Sequence, residues 1–137
     1  MKRSASATWN GSLKDGRGAF GVGSKAFVDQ KFSFRTRFED APGTNPEELI
    51  AAAHAACFSM ALSAQLGERG IVPESVQTGC TITFENLTLT RSELATTDTA
   101  RGADKATVEA AAAAAKAGCP ISKVLKLEIA LALTVVT

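Results

Sequence analysis

Apolar positions recur at every second residue in several stretches of the chain, and such alternation marks half-buried strands. Ala5 to Trp9 ends at Asn10-Gly11, a hairpin-type turn pair. Gly16, Gly18, Gly21 and Gly23 punctuate the next segment, as turns or a twisted strand edge do. Phe32, Phe34, Thr36 and Phe38 alternate with Lys31, Ser33, Arg35 and Arg37, which predicts a strand with rings on one face and basic groups on the other. Val76, Cys80, Ile82 and Phe84 predict another strand, and Leu87, Leu89 and the Thr-rich run to Thr97 predict its hairpin partner. Leu127, Ile129, Leu131, Leu133 and Val135 predict the last one.

Two Ala-rich stretches read as helices. In Thr44-Asn45-Pro46-Glu47-Glu48, Asn45 can cap, Pro46 takes the first helical position where its missing N–H costs nothing, and the two carboxylates suit the positive helix end. That helix is expected to run to about Leu66 and stop at Gly67 or Gly70. Lys105 to Ala117 is the second, with Gly118 as its stop, and Ile121 to Leu125 form a short third helix after Cys119-Pro120. The order of strands, helix, strands, helix and strand predicts an α+β class with antiparallel pairing in a single domain over residues 1–137.

Composition narrows the function. Fifteen basic residues against fourteen acidic leave a net charge of +1, which offers no basic face for nucleic acid. The apolar fraction of 45% with 21% charged residues is ordinary globular usage. Met1-Lys2-Arg3 starts like a targeting segment, but Ser4-Ala5-Ser6-Ala7-Thr8 supplies no apolar region. Leu49 to Leu66 would be about 27 Å long as a helix, yet His54, Ser59, Ser63 and Gln65 interrupt it, so the expectation is a buried helix rather than a membrane span.

Three cysteines, an odd number, suit a reducing compartment better than an oxidised framework. Cys80 lies in phase with the core face of its strand and reads as a small buried hydrophobe. Cys57 sits in the first long helix with His54 one turn earlier on the same face, and reads as either a packed thiol or a reactive one. Cys119 stands at a helix start, where a thiolate is favoured, and an incidental thiol is the alternative. One histidine and scattered cysteines do not make a zinc site, and no phosphate loop or serine elbow is present.

Three blocks resemble one family. Thr44 to Leu62, reading TNPEELIAAAHAACFSMAL, is similar to the signature of the OsmC family of hydroperoxide reductases. Lys116 to Lys126, reading KAGCPISKVLK, and Phe34 to Glu39, reading FRTRFE, resemble the same family in the same order, on its OsmC rather than its Ohr branch. Glu85 to Asp104 departs most from the pattern.

The resemblance implies an OsmC-like fold, with antiparallel sheets around a long central helix that carries the first cysteine, in an intertwined homodimer. It implies a cytoplasmic thiol peroxidase of oxidative or osmotic stress defence, with no cofactor, no metal and neither nucleic acid nor membrane as partner. Cys57 matches the peroxidatic position, Cys119 the resolving one, and Arg37 and Glu47 the arginine and glutamate that complete the site. The Ohr branch draws its arginine from the Gly-rich loop, where this chain has Arg17; Cys80 matches no functional position. The implied cycle reduces an organic hydroperoxide, and hydrogen peroxide less well. It closes a Cys57–Cys119 disulfide, which a dithiol reductant reopens, either a lipoylated or a thioredoxin-like protein. Phe32, Phe34, Phe38, Phe58, Met60 and Leu125 are available to line an apolar pocket. The competing reading is a binding or structural module with inert cysteines.

Glu47 and Cys57 are ten residues apart on one predicted helix, about 15 Å of rise, which no glutamate side chain spans. An interface site built from two subunits would resolve that conflict.

Overall fold

A computed structural model describes all 137 residues, which fall into two compact units, Met1–Leu49 and Ile50–Thr137. In the first, β1 (Ala5–Asn10), β2 (Arg17–Val22) and β3 (Gln30–Phe32) form an antiparallel sheet in that order. Gly11 turns the chain after β1 at φ +93°, a conformation L side chains avoid. Gly18 is required for a different reason. The Phe32 ring lies on it where a Cβ would stand, with Trp9 and Phe20 packed 5.6 and 6.2 Å from that ring.

The strand expected over Phe32–Phe38 is corrected. β3 ends at Phe32, and Phe34–Phe38 is a helix, α1. A local capping box decides this. The Ser33 hydroxyl accepts from the Thr36 N–H at 3.2 Å, and Thr36 Oγ1 accepts from the Ser33 N–H at 2.9 Å. Phe34 and Phe38 then stack one turn apart, with ring centroids 4.8 Å from each other. Period two and period four both bring these rings to one side, and the cap selects the helix. Asn45 caps the long helix α2 (Pro46–Gly67), accepting the Glu48 N–H at 2.8 Å, and its amide donates to Thr36 O at 3.2 Å.

The second unit holds most of α2, the strands β4 (Ser75–Glu85), β5 (Thr88–Thr99) and β6 (Glu128–Val136), and the helices α3 (Lys105–Gly118) and α4 (Pro120–Val124). β4 and β5 are an antiparallel hairpin, turned at Asn86 and Leu87, both with positive φ. β5 and β6 pair in parallel, Arg91 opposite Glu128 through Thr99 opposite Val136. Antiparallel pairing throughout is therefore incorrect. The α3–α4 crossover carries the chain back to the start of the sheet, so β6 runs with β5. Phe58, Leu62 and Leu66 of α2 form the core with Leu94 of β5 and Val108, Ala111, Ala112 and Ala115 of α3. α2 is long and apolar enough to cross a membrane by length and composition, with mean hydropathy 1.5, but the stripe His54, Phe58, Leu62 and Leu66 is buried in this core.

Candidate active site

Cys57 lies on α2, one turn after the buried His54. Cys119 is the hinge residue between α3 and α4. Its N–H closes α3 on Ala115 O at 2.9 Å, and its C=O opens α4 by accepting from Lys123 N at 3.1 Å. Pro120 at the next position cannot continue α3, so the direction changes here. This turn brings the Cys119 sulfur 2.6 Å from the Cys57 sulfur, across 62 residues of sequence. Cys119 is fully buried and Cys57 half-buried, and both are free thiols.

The two sulfurs share a hydrogen bond, and their surroundings are unequal. Burial pushes the Cys57 thiol up, and the bond to Cys119 and the charge there push it further, against the Ile121 N–H. Burial also opposes charge on Cys119. Hydrogen bonds from Cys57, from the N–H and hydroxyl of Ser122 and from the Ile121 N–H outweigh it, and the Cys119 pKa lies below that of a free thiol. Within this pair the surroundings therefore favour charge on Cys119 over charge on Cys57.

Cys80 is partly buried on β4, packed against the core as its strand phase predicts. It is less isolated than that phase suggested, since its sulfur lies 3.2 Å from Ser92 Oγ and 4.0 Å from His54 Nδ1. His54 Nδ1 meets Ser92 Oγ at 2.7 Å and Nε2 meets Ser122 Oγ at 2.8 Å. Burial lowers the His54 pKa and keeps the ring neutral. Ser92 and Ser122 were not singled out from the sequence. The spacing Cys119-x-x-Ser122 was the available signal, because the third helical residue faces the cap side chain.

Arg37 and Glu47 meet within the first unit. Arg37 Nη2 and Nε donate to the single oxygen Glu47 Oε1 at 2.9 and 3.2 Å. The guanidinium carbon also lies 5.3 Å from the Phe38 ring centroid. Arg37 projects from α1 rather than from a strand, so the capping box at Ser33 sets its direction. Glu47 comes from the first turn of α2, where Asn45 and Pro46 fix the helix start. Arg17 is exposed at the start of β2.

The expected apolar lining is largely redistributed. Phe58 is core, Met60 is 76% exposed, and Phe34 and Phe38 stack on each other. Phe32 alone of that set lines an apolar groove of about 320 Å³ in the first unit, with Ala5, Ala7, Phe20, Pro46 and Leu49. No group of His, Cys, Asp and Glu is arranged to hold a metal ion.

Comparison with known proteins places this arrangement in context. A family model described as OsmC-like protein matches residues 38–134. The chain is 44% identical over 135 residues to the Escherichia coli protein named Peroxiredoxin OsmC, covering 96% of this chain and 94% of that one. Its Shigella flexneri counterpart matches equally. Among solved structures, an OsmC-like protein of Vibrio cholerae superposes with TM-score 0.78 at 16% identity, covering 98% of this chain and 99% of the other. The organic hydroperoxide resistance protein OhrB of Bacillus subtilis superposes with TM-score 0.67 at 22% identity, covering 96% and 98%.

Proposed function

Because the chain belongs to the OsmC family, we propose that it is a thiol peroxidase that reduces organic hydroperoxides to alcohols. The observation that carries this reading is the pair of free sulfurs of Cys57 and Cys119, 2.6 Å apart and unequal in exposure. The Cys57 thiolate attacks the distal peroxide oxygen. The O–O bond breaks, the alkoxide takes a proton and leaves as alcohol, and Cys57 becomes a sulfenic acid. Cys119 thiolate attacks that sulfur, hydroxide leaves as water, and the Cys57–Cys119 disulfide closes. A dithiol reductant, a lipoylated or thioredoxin-like protein, restores both thiols.

The first step needs charge on Cys57, whereas the pair by itself favours Cys119. Two features supply it. The shared hydrogen bond lets the Cys57 proton pass to Cys119 without entering solvent. Arg37, held by Glu47, is the cation that favours charge on Cys57 and steadies the departing oxygen. The rise along α2 between Glu47 and Cys57 leads us to draw Arg37 and Glu47 from a second copy of the chain. Ala52, Ala53, Ala56 and Met60 of α2 are exposed, which leaves an apolar helix face for such a copy to cover. The groove at Phe32, Pro46 and Leu49 would arrive with Glu47, its neighbour in sequence, and would hold the alkyl part of the peroxide.

The test follows loss of cumene hydroperoxide with dithiothreitol as reductant. Wild-type protein should consume peroxide far faster than Cys57→Ser, and faster with cumene hydroperoxide than with hydrogen peroxide. A wild-type rate equal to that of Cys57→Ser removes the enzyme reading. Sedimentation of the protein as a monomer at assay concentration removes the second copy.

A further inference from the structure

The buried chain from Cys80 to Cys119 has a direction. Ser122 Oγ carries one proton, meets His54 Nε2 at 2.8 Å, and belongs to the third residue of α4, one turn after Cys119 at the helix cap, where its hydroxyl favours charge on Cys119. If His54 carries its proton on Nε2, it donates to Ser122, and Ser122 is free to donate to Cys119. Nδ1 then accepts from Ser92 at 2.7 Å, and Ser92 accepts from the Cys80 thiol at 3.2 Å. Every donor is used once. With the proton on Nδ1 instead, Ser122 spends its own proton on Nε2 and turns a lone pair to Cys119, which a thiolate repels. The polar groups on the ring come from three other elements, Cys80 on β4, Ser92 on β5 and Ser122 on α4, and none is a carboxylate or an ammonium.

We propose that Ser122, its hydroxyl held by His54, is a positioning residue that makes Cys119 the sulfur released as thiolate when the Cys57–Cys119 disulfide is reduced. This rests on the peroxidase reading above and names the route by which the reductant acts. One thiolate of an external dithiol attacks Cys57, the less buried of the two sulfurs. The S–S bond breaks, its electron pair stays on Cys119 under the Ser122 proton, and the reductant is joined to Cys57. The second thiol of the dithiol loses its proton, attacks the reductant's own sulfur in that mixed disulfide, and releases Cys57 as thiolate. The dithiol ends as a cyclic disulfide, having given two electrons and two protons. Disulfides break toward the sulfur with the lower pKa, so the hydroxyl and the exposure select the same direction.

Two measurements test this. In a Cys57→Ser background, iodoacetamide labelling is followed against pH on the tryptic peptide Ala117–Lys123, which contains Cys119 and no other cysteine. Ser122→Ala should raise the labelling midpoint by about one pH unit, a tenfold loss of thiolate below it. Ser122→Thr should restore it. His54→Gln should move it the same way, and the double variant no further than Ser122→Ala alone, because His54 acts through the hydroxyl. An unmoved midpoint in Ser122→Ala, or additive shifts, overturns the proposal. If His54→Gln does not fold, the two Ser122 variants decide. This titration uses no peroxide, so it succeeds or fails independently of the peroxidase reading. In the second measurement, peroxide-oxidised protein is exposed briefly to mercaptoethanol. The adduct should form on Cys57, and Ser122→Ala should slow reduction about threefold. An adduct on the Cys119 peptide overturns the proposed direction.

Discussion

Oxidation should make this protein markedly harder to unfold. Closing a Cys57–Cys119 disulfide ties residues 62 apart into one loop, which costs the unfolded chain conformational freedom. Loop-closure entropy for that length is worth about 4 kcal/mol at 25 °C, and residual unfolded-state structure reduces it toward about 2 kcal/mol. A chain of this length has a melting entropy near 290 cal/mol/K, on the order of 2.1 per residue, so the gain is a rise in Tm of about 7–14 °C. The assay is scanning calorimetry on the reduced protein and on protein treated with one equivalent of cumene hydroperoxide. Cys57→Ser and Cys119→Ser should show no peroxide-dependent shift. A shift below about 3 °C in wild type, or an equal shift in either variant, would refute the loop argument.

Other outcomes follow from the same geometry. Arg37→Ala should slow the peroxide-attack step about tenfold or more, and Arg17→Ala much less, in stopped-flow experiments; the reverse order transfers the role to Arg17. Cys119→Ser should complete the first step and then stall, so that excess peroxide adds two or three oxygens to Cys57 by mass spectrometry; clean continued turnover would contradict a resolving role. Asp98 is fully buried on β5, neither carboxylate oxygen has a hydrogen-bond partner, and burial raises its pKa. Above the unfolded carboxylate value the folded chain keeps a proton that the unfolded chain releases, so stability falls as pH rises toward the folded pKa, by about 1.4 kcal/mol per pH unit. Asp98→Asn should remove that fall and be the more stable form at pH 7 in urea titrations; a wild-type advantage at pH 7 would contradict it. Ser33→Ala should cost about 1 kcal/mol of stability through the α1 cap and slow peroxide attack through Arg37.

How legible each part was depends on the range of the forces that set it. The start of α2 was readable because Asn45, Pro46, Glu47 and Glu48 act within one turn. The β4–β5 hairpin was readable because its alternation ends at a local turn. The Phe32–Phe38 stretch is ambiguous in sequence because its rings fit two periods, and the Ser33–Thr36 capping box decides for the helix. Glu47 and Arg37 were named from motif resemblance, not from any spacing that shows their ion pair.

The sequence by itself determined which faces are apolar, where the long helices begin and end, and which cysteines are candidates for thiol chemistry. These are consequences of side-chain period, capping and residue type, each settled within a few neighbours. Tertiary structure alone decided that β6 runs parallel to β5, that Cys57 meets Cys119, and that His54 is held between Ser92 and Ser122. Those contacts join segments 37 to 68 residues apart. No local period specifies them, and they arise when the α3–α4 crossover folds its helices back over the sheet.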